Sequence, residues 1–373
     1  MNHWAPAQYL KRGEKLSVNP SILEAAIHSY QRFQIDGLPA ILTLNHLAKR
    51  TGVSYKSLRN FVRRNKYSYH DFHMKKRSGG KRVISVPISE LCSVQRWIDQ
   101  KILASSAQGQ YSFAFEKGRN IRDCAEMHLG CRWLIKIDLK NFFESLTEIQ
   151  VYKLFYSLGY ARLVAFELAR ICTKTYKPKS FKYNKLQWRC WQRRYLFYND
   201  PRVGHLPQGA PTSPRLANAI ARNLDEEIAA LIDQNEMVYT RYADDIIISI
   251  HVENFTKEKA LILINNIYRL LPRYGLRPNL QKTQISHPGA RKIVLGLLVD
   301  GDRVRLPKQF RSRLECNLYY CCKDPSGHAE RRGFRTVLGL RNYIEGQLSY
   351  VRSIDIKYYE YLVSRKLIPA WEL

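Results

Sequence analysis

Met237-Val238-Tyr239-Thr240-Arg241-Tyr242-Ala243-Asp244-Asp245-Ile246-Ile247-Ile248-Ser249-Ile250-His251 is the stretch that decides the fold. Residues 237–242 and 246–251 are rich in β-branched and aromatic side chains, so they read as the two arms of a hairpin. Ala243-Asp244-Asp245 forms its tip. Side by side, two acids repel, and each raises the other's pKa unless a cation intervenes. A purely structural turn would more usually carry Asn-Gly or Asp-Gly. A divalent metal resolves the conflict.

Working outward, residues 133–139 read as a buried strand ending at Asp138, a third acid that completes a shared site with Asp244 and Asp245. Hard oxygen ligands suit Mg2+, which keeps positions open for substrate phosphates. Two such ions stabilise the attacking and leaving oxygens of an in-line phosphoryl displacement. A helix follows the strand, with Thr147 and Gln150 as a capping box and Val151, Leu154, Phe155 and Leu158 at helical spacing before Gly159. A second helix starts with Ser213 as N-cap and Pro214 at its first position, with Leu216, Ile220, Leu224 and Ile228 as a core stripe. Residues 257–274 read as another helix. Residues 292–299 and 303–306 suggest a second hairpin around Asp300-Gly301. The tail reads as helical and basic, with Val337, Leu340, Ile344, Leu348 and Val351 inward and Arg335, Arg341 and Arg352 outward.

The charge balance points to the partner. Lys and Arg total 61 against 32 Asp and Glu, a formal net charge of +29 over 373 residues. Such a surplus favours a polyanion, and its spread along the chain favours nucleic acid over a membrane surface. Hydrophobic residues at 45% are enough to build a core, which argues against disorder. The eight cysteines show no zinc-ribbon spacing and no leader or long apolar run precedes them, so they read as thiols of a reducing cytosol. Cys316, Cys321 and Cys322 with His328 are the one irregular zinc alternative.

Three segments carry concentrated cations. Residues 44–64 read as two short helices resembling a helix-turn-helix, with Ser54 as an N-cap and Arg59, Arg63, Arg64 and Lys66 making the second helix basic; packing plus phosphate contact is the preferred reading. Residues 75–82, with Ser78-Gly79-Gly80 before β-branched Val83, Ile84 and Val86, read as a basic hairpin turn suited to a triphosphate. Residues 174–202 interleave nine cations, Lys182, Lys185, Arg193 and Arg194 among them, with eight aromatic side chains. Cations hold phosphates while aromatic faces stack on unpaired bases.

Four motifs occur in one order. Ile137-Asp138-Leu139-Lys140-Asn141-Phe142-Phe143 resembles the strand that carries the first catalytic acid of reverse transcriptases. Residues 206–214, Leu-Pro-Gln-Gly-Ala-Pro-Thr-Ser-Pro, resemble the segment before their nucleotide-pocket helix. Tyr242-Ala243-Asp244-Asp245 resembles their catalytic turn, and Arg277-Pro278-Asn279-Leu280-Gln281-Lys282-Thr283 the stretch with their phosphate-side lysine. Within that superfamily the chain resembles bacterial retron enzymes. Their Asn-Ala-x-x-His signature is matched by Cys124-Ala125-Glu126-Met127-His128, with Cys124 in place of Asn. Where they carry Val-Thr-Gly this chain has Val294-Leu295-Gly296, with Leu295 in place of Thr.

The resemblance implies an α+β right-hand polymerase: a helical region and start of the fingers over residues 1–74, fingers and palm over 75–300, and a basic helical thumb over 301–373, the palm being an antiparallel sheet backed by helices. It implies that Asp138, Asp244 and Asp245, with the Leu139 carbonyl, hold two Mg2+ ions, Mn2+ being a substitute. Phe143 would exclude a 2′-hydroxyl. Gln208 and Ala243 would line the deoxynucleotide pocket, Tyr242 would lie near the primer end, Lys81, Arg82 and Arg119 would meet the triphosphate, and Lys282 the pyrophosphate. Lys182, Lys185, Arg193, Arg194, Arg335 and Arg341 are expected to bind nucleic acid. The implied partners are a dedicated structured non-coding RNA, its DNA product joined to RNA (msDNA), deoxynucleotides and a separately encoded effector protein in anti-phage defence, all in the cytoplasm. The alternatives are a non-retron bacterial reverse transcriptase and a catalytically silent nucleic-acid-binding protein built on residues 44–64; three clustered acids in so basic a chain argue against the second.

Overall fold

The computed structural model describes residues 6–75, 79–105, 109–175, 203–233, 235–369 and 371. The chain divides into two compact units, one from Met1–Phe115, Leu139–Glu227 and Tyr268–Pro278, the other from Glu116–Asp138, Ile228–Ile267 and Asn279–Leu373.

In the first unit, helices Leu44–Thr51 and Tyr55–Arg63 form where local signals put them. Thr43 and Ser54 cap their first turns, and Gly52 ends the first helix at φ 72°, where a Cβ would be strained. Two cations of the second helix region turn inward: Arg59 Nη1 lies 3.2 Å from Glu167 Oε1, and Arg64 Nη2 lies 2.6 Å from Glu148 Oε2. Glu148 Oε2 also accepts from the Gly204 amide at 2.8 Å. These two arginines brace the unit. Strands β1 (Tyr69–Lys75) and β2 (Lys81–Pro87) pair antiparallel with Lys75 opposite Lys81, and Gly79 and Gly80 turn at positive φ as the sequence predicts. The helix Glu148–Ser157 opens on the expected Thr147–Gln150 capping box.

One cap differs from expectation. The Leu216 amide donates to the Thr212 carbonyl, so Thr212 is the last residue before the helix Ser213–Ala230. Ser213 uses its hydroxyl instead to bind the Pro207 carbonyl at 2.7 Å, tying the helix start to the preceding segment. Leu216, Leu224 and Ile228 are buried and Ile220 is half-buried.

The second unit holds the main sheet. Strands β3 (Trp133–Asp138), β4 (Met237–Tyr242), β5 (Asp245–Ile250) and β6 (Gln284–Ser286) run antiparallel in the order β4-β5-β3-β6. Side chains alternate between the faces of a strand. One face therefore carries Ile135, Ile137, Ile246, Ile248 and Ile250, all buried. The other carries Lys136, Asp138, Thr240, Tyr242, Asp245 and Ser249. This is the antiparallel sheet of a mixed α+β fold.

The second hairpin has a turn earlier than the one the sequence suggests. β7 (Ile293–Val294) and β8 (Leu297–Leu298) reverse at Leu295-Gly296, both at positive φ, and the chain reverses again around Asp300-Gly301, where Leu298 pairs with Arg305. Two consecutive positive φ values are what a two-residue hairpin demands. Residues beyond Asp300 return only as an isolated bridge between Leu298 and Arg305. The tail comprises helices Lys308–Lys323, Pro325–Arg331, Val337–Ile354 and Ile356–Ser364. Leu340, Ile344, Leu348 and Val351 face inward as expected, and Val337 is half-buried. Among the described residues no helix is long and apolar enough to cross a membrane.

Candidate active site

The register of the sheet brings the acids together. Asp245, the first residue of β5, stands opposite Asp138 on β3 and opposite Tyr242 on β4. Ala243 and Asp244 form the turn between β4 and β5, with Ala243 at φ 54°. An alanine in the left-handed region costs about 1–2 kcal/mol, so the turn must be held from outside itself. Part of that hold is Arg241, a fully buried side chain whose Nη1 donates to the Ala243 carbonyl at 3.1 Å. Arg241 was not foreseen as a site residue. Its signal was present: a cation on the isoleucine face of a strand is rare unless its donors are used.

Asp138 is engaged at three atoms. Its carbonyl accepts from the Asn279 amide at 2.7 Å, and its carboxylate accepts from Asn279 Nδ2 and Lys282 Nζ, each at 2.9 Å. That hydrogen bond, with the neighbouring acids, holds the Lys282 ammonium above its usual range. Burial, then Asp244 and Asp138, push the Asp245 carboxyl up to about 6. Lys136 on the same face is shifted down by burial, opposed by the charge of Asp245.

Among the described residues no three His, Cys, Asp or Glu converge as a ready cage for a metal. The donor set nevertheless suits Mg2+, which is held through one or two carboxylates with water and substrate phosphates completing its shell. Burial and the neighbouring acids raise the Asp245 pKa, and the Lys282 ammonium places a positive charge at Asp138. Both observations fit a site built for a divalent ion. The irregular zinc alternative does not assemble: Cys316 and Cys322 are exposed, Cys321 is buried, and His328 stacks on Tyr320.

On the sheet face that carries the acids, His128 is buried with Nε2 2.7 Å from Thr240 Oγ1 and Nδ1 2.8 Å from Ser249 Oγ. Cys124, at the position of the signature Asn, places Sγ 3.4 Å from the same Thr240 hydroxyl. Asn120 and Asp123 cap the helix Ile121–Glu126 that carries Cys124.

The remaining expected residues fall in separate places. In the first unit, Lys81 and Arg82 are exposed at the start of β2, whose Ser85 amide donates to the Gln208 carbonyl at 2.7 Å. This bond joins the basic hairpin to the Gln208 segment. Gly209 makes the junction possible: a Cβ there, at φ 112°, would lie 2.9 Å from Ile84 Cγ2 and 3.2 Å from the Ser85 carbonyl oxygen. Phe143 is half-buried, its ring 5.6 Å from Phe142 and 6.1 Å from Phe115. Leu139 is buried and bridges to Pro278. In the second unit, Arg119 is half-buried, Arg335 is exposed, and Arg341 Nε is paired to Glu345 at 2.7 Å. Lys182, Lys185, Arg193 and Arg194 lie outside the described residues.

Comparison with known proteins identifies the family. The family described as Reverse transcriptase (RNA-dependent DNA polymerase) matches residues 74–312. The retron Ec86 reverse transcriptase of Escherichia coli is 28% identical over 330 residues, covering 88% of this chain and 89% of that one. The retron Mx65 reverse transcriptase of Myxococcus xanthus is 31% identical over 338 residues, covering 88% and 72%. Among solved structures, a Candida albicans telomerase in complex with a telomeric RNA fragment aligns with TM-score 0.40 and 12% identity over 83% of this chain and 57% of that one. Enzymes of this family bind RNA and DNA and depend on a divalent metal. The chain belongs to the reverse transcriptase family and is a retron-type RNA-directed DNA polymerase.

Proposed function

We propose that this polymerase copies a dedicated structured non-coding RNA into single-stranded DNA that stays linked to RNA, as the msDNA of a retron, and that it acts in anti-phage defence with a separately encoded effector. The observation that carries the chemistry is the pairing of Asp138 with Asp245 across β3 and β5, with Asp244 on the adjoining turn. The retron identity of the relatives supports the template class.

Asp138, Asp244 and Asp245 would hold two Mg2+ ions, with the Leu139 carbonyl as a further ligand. The ions would neutralise charge on the attacking and leaving oxygens during phosphoryl transfer. Lys282 would supply a positive charge, or a proton, where pyrophosphate departs. Lys81, Arg82 and Arg119 would bind the triphosphate, Gln208 and Ala243 would line the nucleotide pocket, and the Phe143 ring would exclude a 2′-hydroxyl. Lys182, Lys185, Arg193, Arg194, Arg335 and Arg341 would hold nucleic acid through phosphates.

Sequencing the nucleic acid that copurifies with the protein tests the template. One abundant RNA joined to a short DNA is expected; a random sample of cellular RNA would overturn the retron reading. Asp244→Asn and Asp245→Asn should each abolish DNA synthesis while RNA binding survives. Extension of a primed RNA template at the unmodified rate would sink the metal assignment. Phage plating on cells carrying the intact locus or Asp245→Asn tests defence, which equal plaque numbers would refute.

A further inference from the structure

We infer that His128 is a positioning residue for DNA synthesis, joining the two arms of the β4–β5 hairpin so that its tip presents Asp244 and Asp245 in one geometry. This rests on the proposed metal role of those two acids.

The imidazole spans the hairpin. Nε2 meets Thr240 on β4, two residues before Tyr242, and Nδ1 meets Ser249 on β5, four residues after Asp245. Thr240 and Ser249 share a sheet face with Asp245 and Asp138, so the bond is made on the acids' own side. The two-residue turn carries an alanine in the left-handed region, at a cost of about 1–2 kcal/mol. A side-chain bridge between the arms helps to hold that turn.

Three polar groups have been taken out of water to build this bridge; Thr240 also meets Cys124 Sγ and Ser249 lies 3.5 Å from His251 Nε2, while His128 links one arm to the other. Apolar packing would fill the same space without that cost. Burial keeps the imidazole far below its usual pKa, so no positive charge is added near the acids. His128 is itself anchored, its amide donating to the Ala125 carbonyl at 3.0 Å behind the capped helix Ile121–Glu126.

The test compares the full-length protein with His128→Leu, His128→Gln and the pair Thr240→Val and Ser249→Ala. His128→Leu should lower the single-turnover rate of deoxynucleotide incorporation about 10- to 100-fold, the scale of a small misplacement of reacting groups, with nucleotide KM and RNA affinity unchanged. His128→Gln, which can still reach one hydroxyl, should recover part of the rate. Amide hydrogen exchange should quicken over residues 241–247 in His128→Leu while β3 stays protected. A full rate in folded His128→Leu would overturn the inference. So would a loss that follows thermal stability alone across the variants, with exchange raised evenly through the sheet. The two assignments fail separately: synthesis by Asp245→Asn would refute the metal role, whereas the exchange pattern tests the His128 bridge without any catalysis.

Discussion

Lys282 sits on Asp138, its Nζ 2.9 Å from the carboxylate oxygen Oδ2, while Asn279 takes Oδ1. A cation bonded to an acid that is proposed to hold metal competes with the metal for it. Lys282→Ala should therefore tighten divalent binding to the nucleotide-free protein, yet slow incorporation by roughly 10²-fold as charge or proton supply at the leaving group is lost. Paramagnetic Mn2+ titration and single-turnover kinetics read the two effects. Weaker Mn2+ binding would show that Lys282 orients Asp138 and does not compete.

Phe143 packs with Phe142 and Phe115 but stays half-buried. Phe143→Ala should let ribonucleotides into the product, with the preference for deoxynucleotides falling roughly 10-fold or more. Matched incorporation assays decide it. An unchanged ratio would leave Phe143 as core.

Gly209→Ala would drive a methyl into Ile84 and the Ser85 carbonyl at a backbone angle that disfavours any Cβ. We expect a stability loss of about 1–3 kcal/mol, and a raised KM for deoxynucleotides because the Gln208 junction with β2 opens. Denaturant melts paired with steady-state kinetics would show both. A wild-type KM would mean that the junction does not shape the nucleotide site.

Stability should fall in mild acid. His128 and His205 are buried and pushed down to about 3, chiefly by burial. The unfolded chain takes up protons near the ordinary histidine value of about 6.5 while the folded chain does not, so stability is held above that value and lost as pH falls from it towards the folded pKa. Between about pH 7.5 and pH 5.5 each histidine should remove about 1.4 kcal/mol. The urea midpoint tracks this, and His205→Gln should reduce the drop by about 1.4 kcal/mol. An undiminished drop in that variant would exclude His205 as a source.

Local chemistry made much of this readable. The caps at Ser54 and Thr147 depend on residues three apart, and both appear where the sequence puts them. The strand ending at Asp138 and the hairpin around Ala243-Asp244-Asp245 declare themselves through β-branched runs and turn acids. What stayed hidden depends on partners far along the chain. Arg241 looked like one more cation until burial on the isoleucine face gave it a task. His128 was legible only as part of a signature, because Thr240 and Ser249 lie more than a hundred residues away. The turn at Leu295-Gly296 was missed because Asp300-Gly301 carries the stronger local turn signal; the chain reverses at both, with Ile293 opposite Leu298 and Leu298 bridged to Arg305.

The alternation along β5 also governs which mutations this hairpin can survive. Losing one residue between Ile246 and Ile250 would swing the rest of the strand over by one position, moving Ser249 to the isoleucine face and setting an isoleucine against His128. Losing two would restore the faces. The hairpin can therefore drift one letter at a time, but its length can change only in steps of two.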